Sequence, residues 1–157
     1  MNLTYSSIRI VQWGESDPFG LVYYPRMTEW FNDTEHELFR TLDLAIDDMI
    51  NLDRTTFVMG EIQFRFVGPA AYGDRVKTSL TLDRLGSKTL HWKCSISHAS
   101  SNAPIANGSA TRIYAHIAED GSLSSRMIPE HMRARMTDAS TITTLAGQAT
   151  QTTEQPA

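Results

Sequence analysis

The sequence contains one cysteine, Cys94, among 157 residues. A single thiol excludes an intrachain disulfide, and a reducing compartment suits it. Its neighbours Trp92 and Ile96 mark it as a small buried hydrophobe rather than a reactive group. Basic charge is also scarce. Lys and Arg number 14 against 18 Asp and Glu, a net charge of −4, with a pI near 5.7. That balance argues against general affinity for nucleic acid or anionic membranes, and leaves room for a small basic pocket for a phosphorylated ligand. No apolar run is long enough to span a bilayer. The first seven residues show no basic stretch leading into an apolar one, so no secretory signal is expected and a cytoplasmic location is. The five histidines, His36, His91, His98, His116 and His131, form no metal-ligand motif. No phosphate loop, dinucleotide fingerprint, Gly-x-Ser-x-Gly or internal repeat occurs, and neither metal nor organic cofactor is expected.

What is present is an ordinary globular composition of one-domain length, 41% hydrophobic and 20% charged. Residues 4–13 read as a first strand with Ile8, Ile10 and Gln12 on one side. Residues 14–20 carry turn chemistry. After Pro25 the period changes. Met27, Trp30, Phe31, Thr34, Leu38 and Phe39 recur at helical spacing, and Pro25 suits the first turn of a helix that ends near Leu42. Residues 43–55 read as an acidic connection. Four period-two segments follow, over 61–67, 75–85, 90–98 and 105–117, separated by turn residues. In the last, Thr111, Ile113, Ala115 and Ile117 share a face. Residues 129–136 can form a short helix. From 137 onward Thr, Ala, Ser and Gln dominate. The organisation expected is one domain over 1–136 and a disordered tail over 137–157. Within the domain, an α+β arrangement wraps a five-stranded antiparallel sheet around one long helix. One helix covers such a sheet incompletely, so a homo-oligomer is expected.

The chemically informative stretch is Trp13-Gly14-Glu15-Ser16-Asp17-Pro18-Phe19-Gly20-Leu21-Val22-Tyr23-Tyr24-Pro25. It sets a carboxylate in a glycine-flanked loop just before the helix. Unpaired N–H groups at a helix start attract negative charge and can hold a carbonyl oxygen that becomes an oxyanion. A carboxylate across that carbonyl can attack it or activate water. Thioester hydrolysis suits this pairing, because a thiolate leaves without a strong general acid. From spacing alone, an Asp-Pro before a helix is more often simple turn or capping chemistry. Phe19 and Met27 are candidates for an acyl pocket, while Trp30 reads as core.

The same stretch resembles the signature of the 4-hydroxybenzoyl-CoA thioesterase family of hotdog proteins. That signature has an aromatic residue and Gly, then Asp-Pro, Gly, an apolar pair, and an aromatic residue with Tyr-Pro. With the order of strands and helix, the resemblance extends over roughly residues 5–135. It implies a hotdog fold, an acyl-CoA substrate and a dimer, or a tetramer of dimers, with active sites between subunits. It further implies that Asp17 is the catalytic carboxylate, by nucleophilic attack or as general base, and that the Tyr24 N–H polarises the thioester carbonyl. Gly20 would let the loop approach the site closely. Tyr24 leans toward the aromatic-acyl branch, since the short-chain enzymes associated with the Tol–Pal system carry histidine there. Asn32 stands where the 4-hydroxybenzoyl enzymes use an aspartate to contact the substrate hydroxyl, so benzoyl or another aryl group is as compatible as 4-hydroxybenzoyl. Family basic positions for the CoA phosphates fall on or near Arg84, Lys88 and Arg126. Glu61 is a candidate auxiliary residue beside the partner's acyl pocket. A short-chain aliphatic thioesterase and a non-catalytic acyl-CoA-binding module are the alternatives. A dehydratase is disfavoured because no histidine lies in the segment.

Overall fold

The computed structural model describes residues 2–138. The tail expected from 137 therefore lies outside the described residues, apart from its first two. The chain runs β1 (Thr4–Ile10), α1 (Arg26–Thr41), a short turn α2 (Ile46–Asp48) that continues as a π-turn (Met49–Asp53), β2 (Thr55–Phe66), β3 (Arg75–Leu85), β4 (Thr89–His98), β5 (Pro104–Ile117), β6 (Leu123–Ser125) and α3 (Glu130–Thr137). The strands form one antiparallel sheet in the order β1-β3-β4-β5-β2, with the short β6 on β5. This is the expected hotdog arrangement with a sixth strand added. The acidic connection is largely helical, and the second strand-forming segment begins at Thr55 rather than at residue 61.

α1 forms because its apolar residues recur at i, i+3 and i+4, and that stripe is what it buries: Met27, Trp30, Phe31, Thr34, Glu35, Leu38 and Phe39. Opposite it, the sheet supplies Leu80, Leu90, Trp92 and Ile96, all essentially inaccessible. Phe39 stacks on Phe57 at 5.5 Å between ring centroids, and Phe57 meets Tyr114 at 5.0 Å. Each such ring adds roughly 1.5–3 kcal/mol by leaving water. Beneath them Cys94 is buried, and burial pushes its thiol up to about 12.

Two strands turn a different face to the helix from the one their apolar residues suggest. In β1 the helix-facing residues are Tyr5, Ser7 and Arg9. Ser7 Oγ lies 2.8 Å from Thr34 Oγ1 and Arg9 Nη1 3.4 Å from Asp33 Oδ2. Ile10 is left exposed. In β5 the buried row is Ala110, Arg112 and Tyr114 rather than Thr111, Ile113 and Ile117. Arg112 faces inward because Glu35, at a helix position otherwise filled by hydrophobes, waits for it there.

A second buried acid fixes the loop ahead of α1. Glu15 is 8% exposed. Its Oε1 accepts from the Trp30 indole N–H at 2.8 Å and from Arg9 Nη2 at 3.1 Å, and its Oε2 accepts from the Gln12 N–H at 2.7 Å. Arg9 Cζ lies 5.3 Å from the centre of the Trp30 ring. One carboxylate thus joins β1, the loop and α1.

Two outcomes follow from these placements. Replacing Glu15 with Ala strands the Trp30 N–H and one end of Arg9, and is expected to lower unfolding free energy by about 2–4 kcal/mol in a urea titration. Cys94, protonated and covered, is expected to resist a disulfide-exchange reagent at pH 8 in the native protein and to react fully once urea unfolds it.

Candidate functional site

The segment between Glu15 and Tyr23 folds back on itself as a narrow hairpin. The Tyr23 N–H donates to the Glu15 carbonyl at 2.8 Å, the Asp17 N–H to the Leu21 carbonyl at 2.8 Å, and Ser16 bridges Val22. Gly20 sits at the tip with φ +79°, and a Cβ there would meet nothing within 4 Å. That left-handed backbone is the unusual dihedral that a glycine permits in this turn. The hairpin is pinned to the β2–β3 connection, where the Val22 N–H donates to the Ala70 carbonyl and Leu21 bridges Ala71. That connection is itself held, by the Ala71 N–H donating to Asp74 Oδ2 at 2.8 Å and by His98 Nε2 at 2.9 Å from the Pro69 carbonyl.

Asp17 sits half-buried on the first arm of this hairpin. Its Oδ1 accepts from the Phe19 N–H at 2.9 Å and more weakly from the Leu21 N–H at 3.3 Å. Oδ1 is therefore turn chemistry, while Oδ2 has no hydrogen-bond partner among the described residues. The second arm delivers the chain to α1. There the N–H groups of Arg26, Met27 and Thr28 close the first turn onto the carbonyls of Tyr23, Tyr24 and Pro25. The Tyr24 N–H has no partner among the described residues. One free carboxylate oxygen and one free N–H thus stand on either side of a tight turn, at the positive end of a sixteen-residue helix.

The surroundings are aromatic and exposed. Tyr24 lies 5.6 Å from Tyr23 and 5.6 Å from Phe66, which continues to Phe64 at 6.3 Å. Phe19 is 87% exposed at the hairpin tip. Met27, by contrast, is packed into the core, because it lies on the sheet-facing stripe of α1.

One turn farther along α1, a groove of 510 Å³ opens between the helix and β2, lined by Thr28, Phe31, Asn32, Met59, Ile62 and Arg112, with Glu29 and Asp33 at its lip. At its floor Glu35 is fully buried and Arg112 is 7% exposed. Arg112 Nε donates to both Glu35 oxygens at 3.1 and 2.9 Å, and Nη2 to Glu35 Oε2 at 2.7 Å. Nη2 also donates to Asn32 Oδ1 at 2.7 Å. Burial pushes the Glu35 carboxyl above its ordinary range, and the Arg112 guanidinium opposes that shift. Trp92 Nε1 contributes weakly in the same sense as Arg112, without reaching hydrogen-bond geometry. Glu61 is not in this groove. It pairs with Thr111 on the outer face of the sheet and accepts from Gln63 Nε2.

The basic candidates gather at the other end of the sheet, around the β3–β4 turn. Lys88 Nζ lies 3.4 Å from Ser125 Oγ, and the Arg126 N–H donates to the Tyr114 carbonyl, whose own N–H donates to the Lys88 carbonyl. Arg84 Nη2 donates to His91 Nε2 at 2.8 Å. Burial, and then Arg84, hold the His91 pKa below its ordinary value, so the ring is neutral and able to accept. Arg84, Lys88 and Arg126 are all exposed.

Glu15, Glu35 and Arg112 escaped the reading of the sequence. The signal for Glu35 was its position, four residues after Phe31 and four before Phe39, where only a paired carboxylate is tolerated. Glu15 stands three residues after Gln12, a capping spacing.

Solved structures with the same fold include a 1,4-dihydroxy-2-naphthoyl-CoA thioesterase from Synechocystis. The TM-score is 0.80 at 18% identity, over 87% of this chain and 98% of that one. A gentisyl-coenzyme A thioesterase gives 0.73 at 22% identity, over 82% and 98%. A variant of 4-hydroxybenzoyl-CoA thioesterase complexed with 4-hydroxybenzoyl-CoA gives 0.78 at 15% identity, over 85% and 99%. No curated protein matches the chain in sequence. Among the described residues no helix is long and apolar enough to cross a membrane. Residues 11–137 match the thioesterase-like superfamily, and the chain belongs to it.

Proposed function

We propose that this thioesterase hydrolyses the CoA thioester of an aromatic acid, with Asp17 as the reacting carboxylate and the Tyr24 N–H as the oxyanion donor. The observation that carries the proposal is the pair of uncommitted groups at the turn, Asp17 Oδ2 and the Tyr24 N–H, beside the first turn of α1. The thioester carbonyl oxygen accepts from the Tyr24 N–H. Oδ2 then attacks the carbonyl carbon, and the negative charge that gathers on oxygen is met by that N–H and by the helix start. As the tetrahedral intermediate collapses, the C–S bond breaks and CoA leaves as a thiolate. Water hydrolyses the resulting mixed anhydride and restores Asp17. In the rival route Oδ2 takes a proton from water and the water attacks. Neither route calls on a metal or organic cofactor. The aromatic preference is drawn from the exposed rings Tyr23, Tyr24 and Phe66, which continue to the half-buried Phe64, beside the turn. The aryl-CoA substrates named for the structural neighbours point the same way.

The site needs two copies of the chain. Asp17 lies by the end of β2, through Ala70 and Ala71. The basic turn lies by its start, since Thr89 pairs with Ile113 and Ile113 with Val58. Val58 and Phe66 are eight residues apart on one strand, which at strand rise separates them by about 27 Å. β2 is also a sheet edge, and it leaves Met59 and Phe66 exposed, an arrangement that invites pairing. Antiparallel pairing of β2 with its copy sets the partner's Arg84, Lys88 and Arg126 beside this protomer's Asp17. There they would hold the CoA phosphates by charge-assisted hydrogen bonds.

Release of CoA from benzoyl-CoA and related aryl esters is expected to fall at least about a hundredfold in Asp17→Asn. A variant that keeps wild-type rates removes Asp17 from the chemistry. Butyryl-CoA measured alongside tests the aliphatic alternative, and binding without turnover of any ester supports a binding module instead. For the shared site, Asp17→Asn and the double variant Arg84→Ala/Lys88→Ala are mixed under dissociating conditions and reassociated. The mixture is expected to regain activity that neither parent has, and a mixture as inactive as its parents places the whole site within one subunit.

A further inference from the structure

The groove beside α1 has a polar end whose hydrogen-bonding sense is fixed. Arg112 commits Nε and Nη2 to Glu35 and Asn32. Nη1 has no partner among the described residues and belongs to a residue that lines the groove. Because Arg112 holds Asn32 by its Oδ1, the Asn32 amide is left with its N–H₂ as the group still to be satisfied, and that too has no partner among the described residues. A guanidinium has no acceptor. The groove therefore offers donors at its inner end and apolar walls, Phe31, Met59 and Ile62, along its sides, a combination typical of small-molecule sites.

Charge narrows the ligand further. The Arg112 cation is already balanced by the Glu35 carboxylate, and the acids at the lip, Glu29 and Asp33, add negative charge. A ligand carboxylate would bring an unbalanced charge into a half-buried site. A neutral oxygen acceptor adds none. The groove starts at Thr28, whose hydroxyl donates to the Pro25 carbonyl; Thr28 and Asn32 lie four apart on one side of α1, and Tyr24 stands in the turn that leads into its first residues. A thioester carbonyl on the Tyr24 N–H can thus direct its acyl group down this stripe toward Arg112.

We propose that Arg112, with Asn32, reads the acyl group, and that the substrate carries a neutral oxygen acceptor at the end remote from the thioester: a ketone, an ether or a hydroxyl presenting its lone pair. This rests on the thioesterase reading above. It departs from the expectation that position 32 receives a proton from a phenol.

The test compares near-isosteric esters, 4-acetylbenzoyl-CoA and 4-ethylbenzoyl-CoA, with 4-carboxybenzoyl-CoA as the charged control. Wild type is expected to favour the acetyl ester in kcat/KM by about tenfold or more, the ordinary worth of a hydrogen bond to a charged group, and to disfavour the carboxylate. Arg112→Lys keeps a cation for Glu35 but removes the planar fork, and is expected to bring the acetyl-to-ethyl ratio toward one. Should that variant misfold, Asn32→Ala removes the second donor and is expected to reduce the ratio in a folded protein. Equal rates on the acetyl and ethyl esters in wild type, a preference for the carboxylate, or a ratio unchanged in a folded variant overturns the assignment while leaving the thioesterase reading intact. No turnover of any of the three overturns both.

Discussion

The carboxylate of Glu15 is the point on which the geometry of the site depends. It is buried against Trp30 and receives hydrogen bonds from β1, from the loop backbone and from the first turns of α1. Its own carbonyl accepts the Tyr23 N–H. Tyr23 is thereby turned into the hairpin and Tyr24, the next residue, is left with its N–H unspent. A single residue's side chain fixes where the hairpin starts, and its backbone fixes which N–H remains available at the helix. Preorganisation of this kind matters more for oxyanion stabilisation than the identity of the donor, because the donor need not reorganise as charge appears.

A second constraint is the edge of the sheet. α1 packs on β1 and β3 and meets β4 through Phe39 and Trp92, while on the inner face of β2 Met59 stays exposed and Ile62 is only half-buried. An antiparallel sheet tolerates one wet face, but an uncovered inner face on an edge strand of twelve residues is an unfinished core. Pairing β2 with its copy, as proposed above, would finish it, and the same operation would close the groove and supply the basic turn. Fold completion and site completion would then be one event, consistent with the proposed reacting groups and the cationic residues lying at opposite ends of one protomer.

How much of this could be read from residues alone depended on whether the governing interaction was local. The α1 stripe from Met27 to Phe39 and the strand over Arg75–Leu85 were legible, because a period of 3.6 or 2 is written in neighbouring positions. The loop around Asp17 was legible through its spacing. The facing of β1 and β5 was not. Alternation shows which residues share a face and not which face is buried, and in both strands an arginine takes the inner one. Arg9 turns in because Glu15 is there and Arg112 because Glu35 is there, 77 residues away in sequence. No window along the chain contains both halves of that pair. Gly20 was legible as a turn glycine free to take unusual dihedrals, and the structure gives it the positive φ of the hairpin tip.

The two buried acids share a pattern with a physical sense. In each, the carboxylate lies deep and the arginine lies nearer the rim, Arg9 reaching on to Asp33 and Arg112 to Asn32. A buried ion pair is a poor way to stabilise a core, since well-packed hydrophobes of similar volume do as well or better. What a deep carboxylate does that a leucine cannot is hold a guanidinium in one orientation. At Glu15 that orientation braces the hairpin. At Glu35 it sets Arg112 flat against the groove, its centre 5.8 Å from that of the Phe31 ring, with one nitrogen left uncommitted. A flexible arginine in the same groove would have to be ordered by each ligand it bound, at a loss of affinity. Here the ordering is done by the fold, and the desolvation of Glu35 is the stability given up for it.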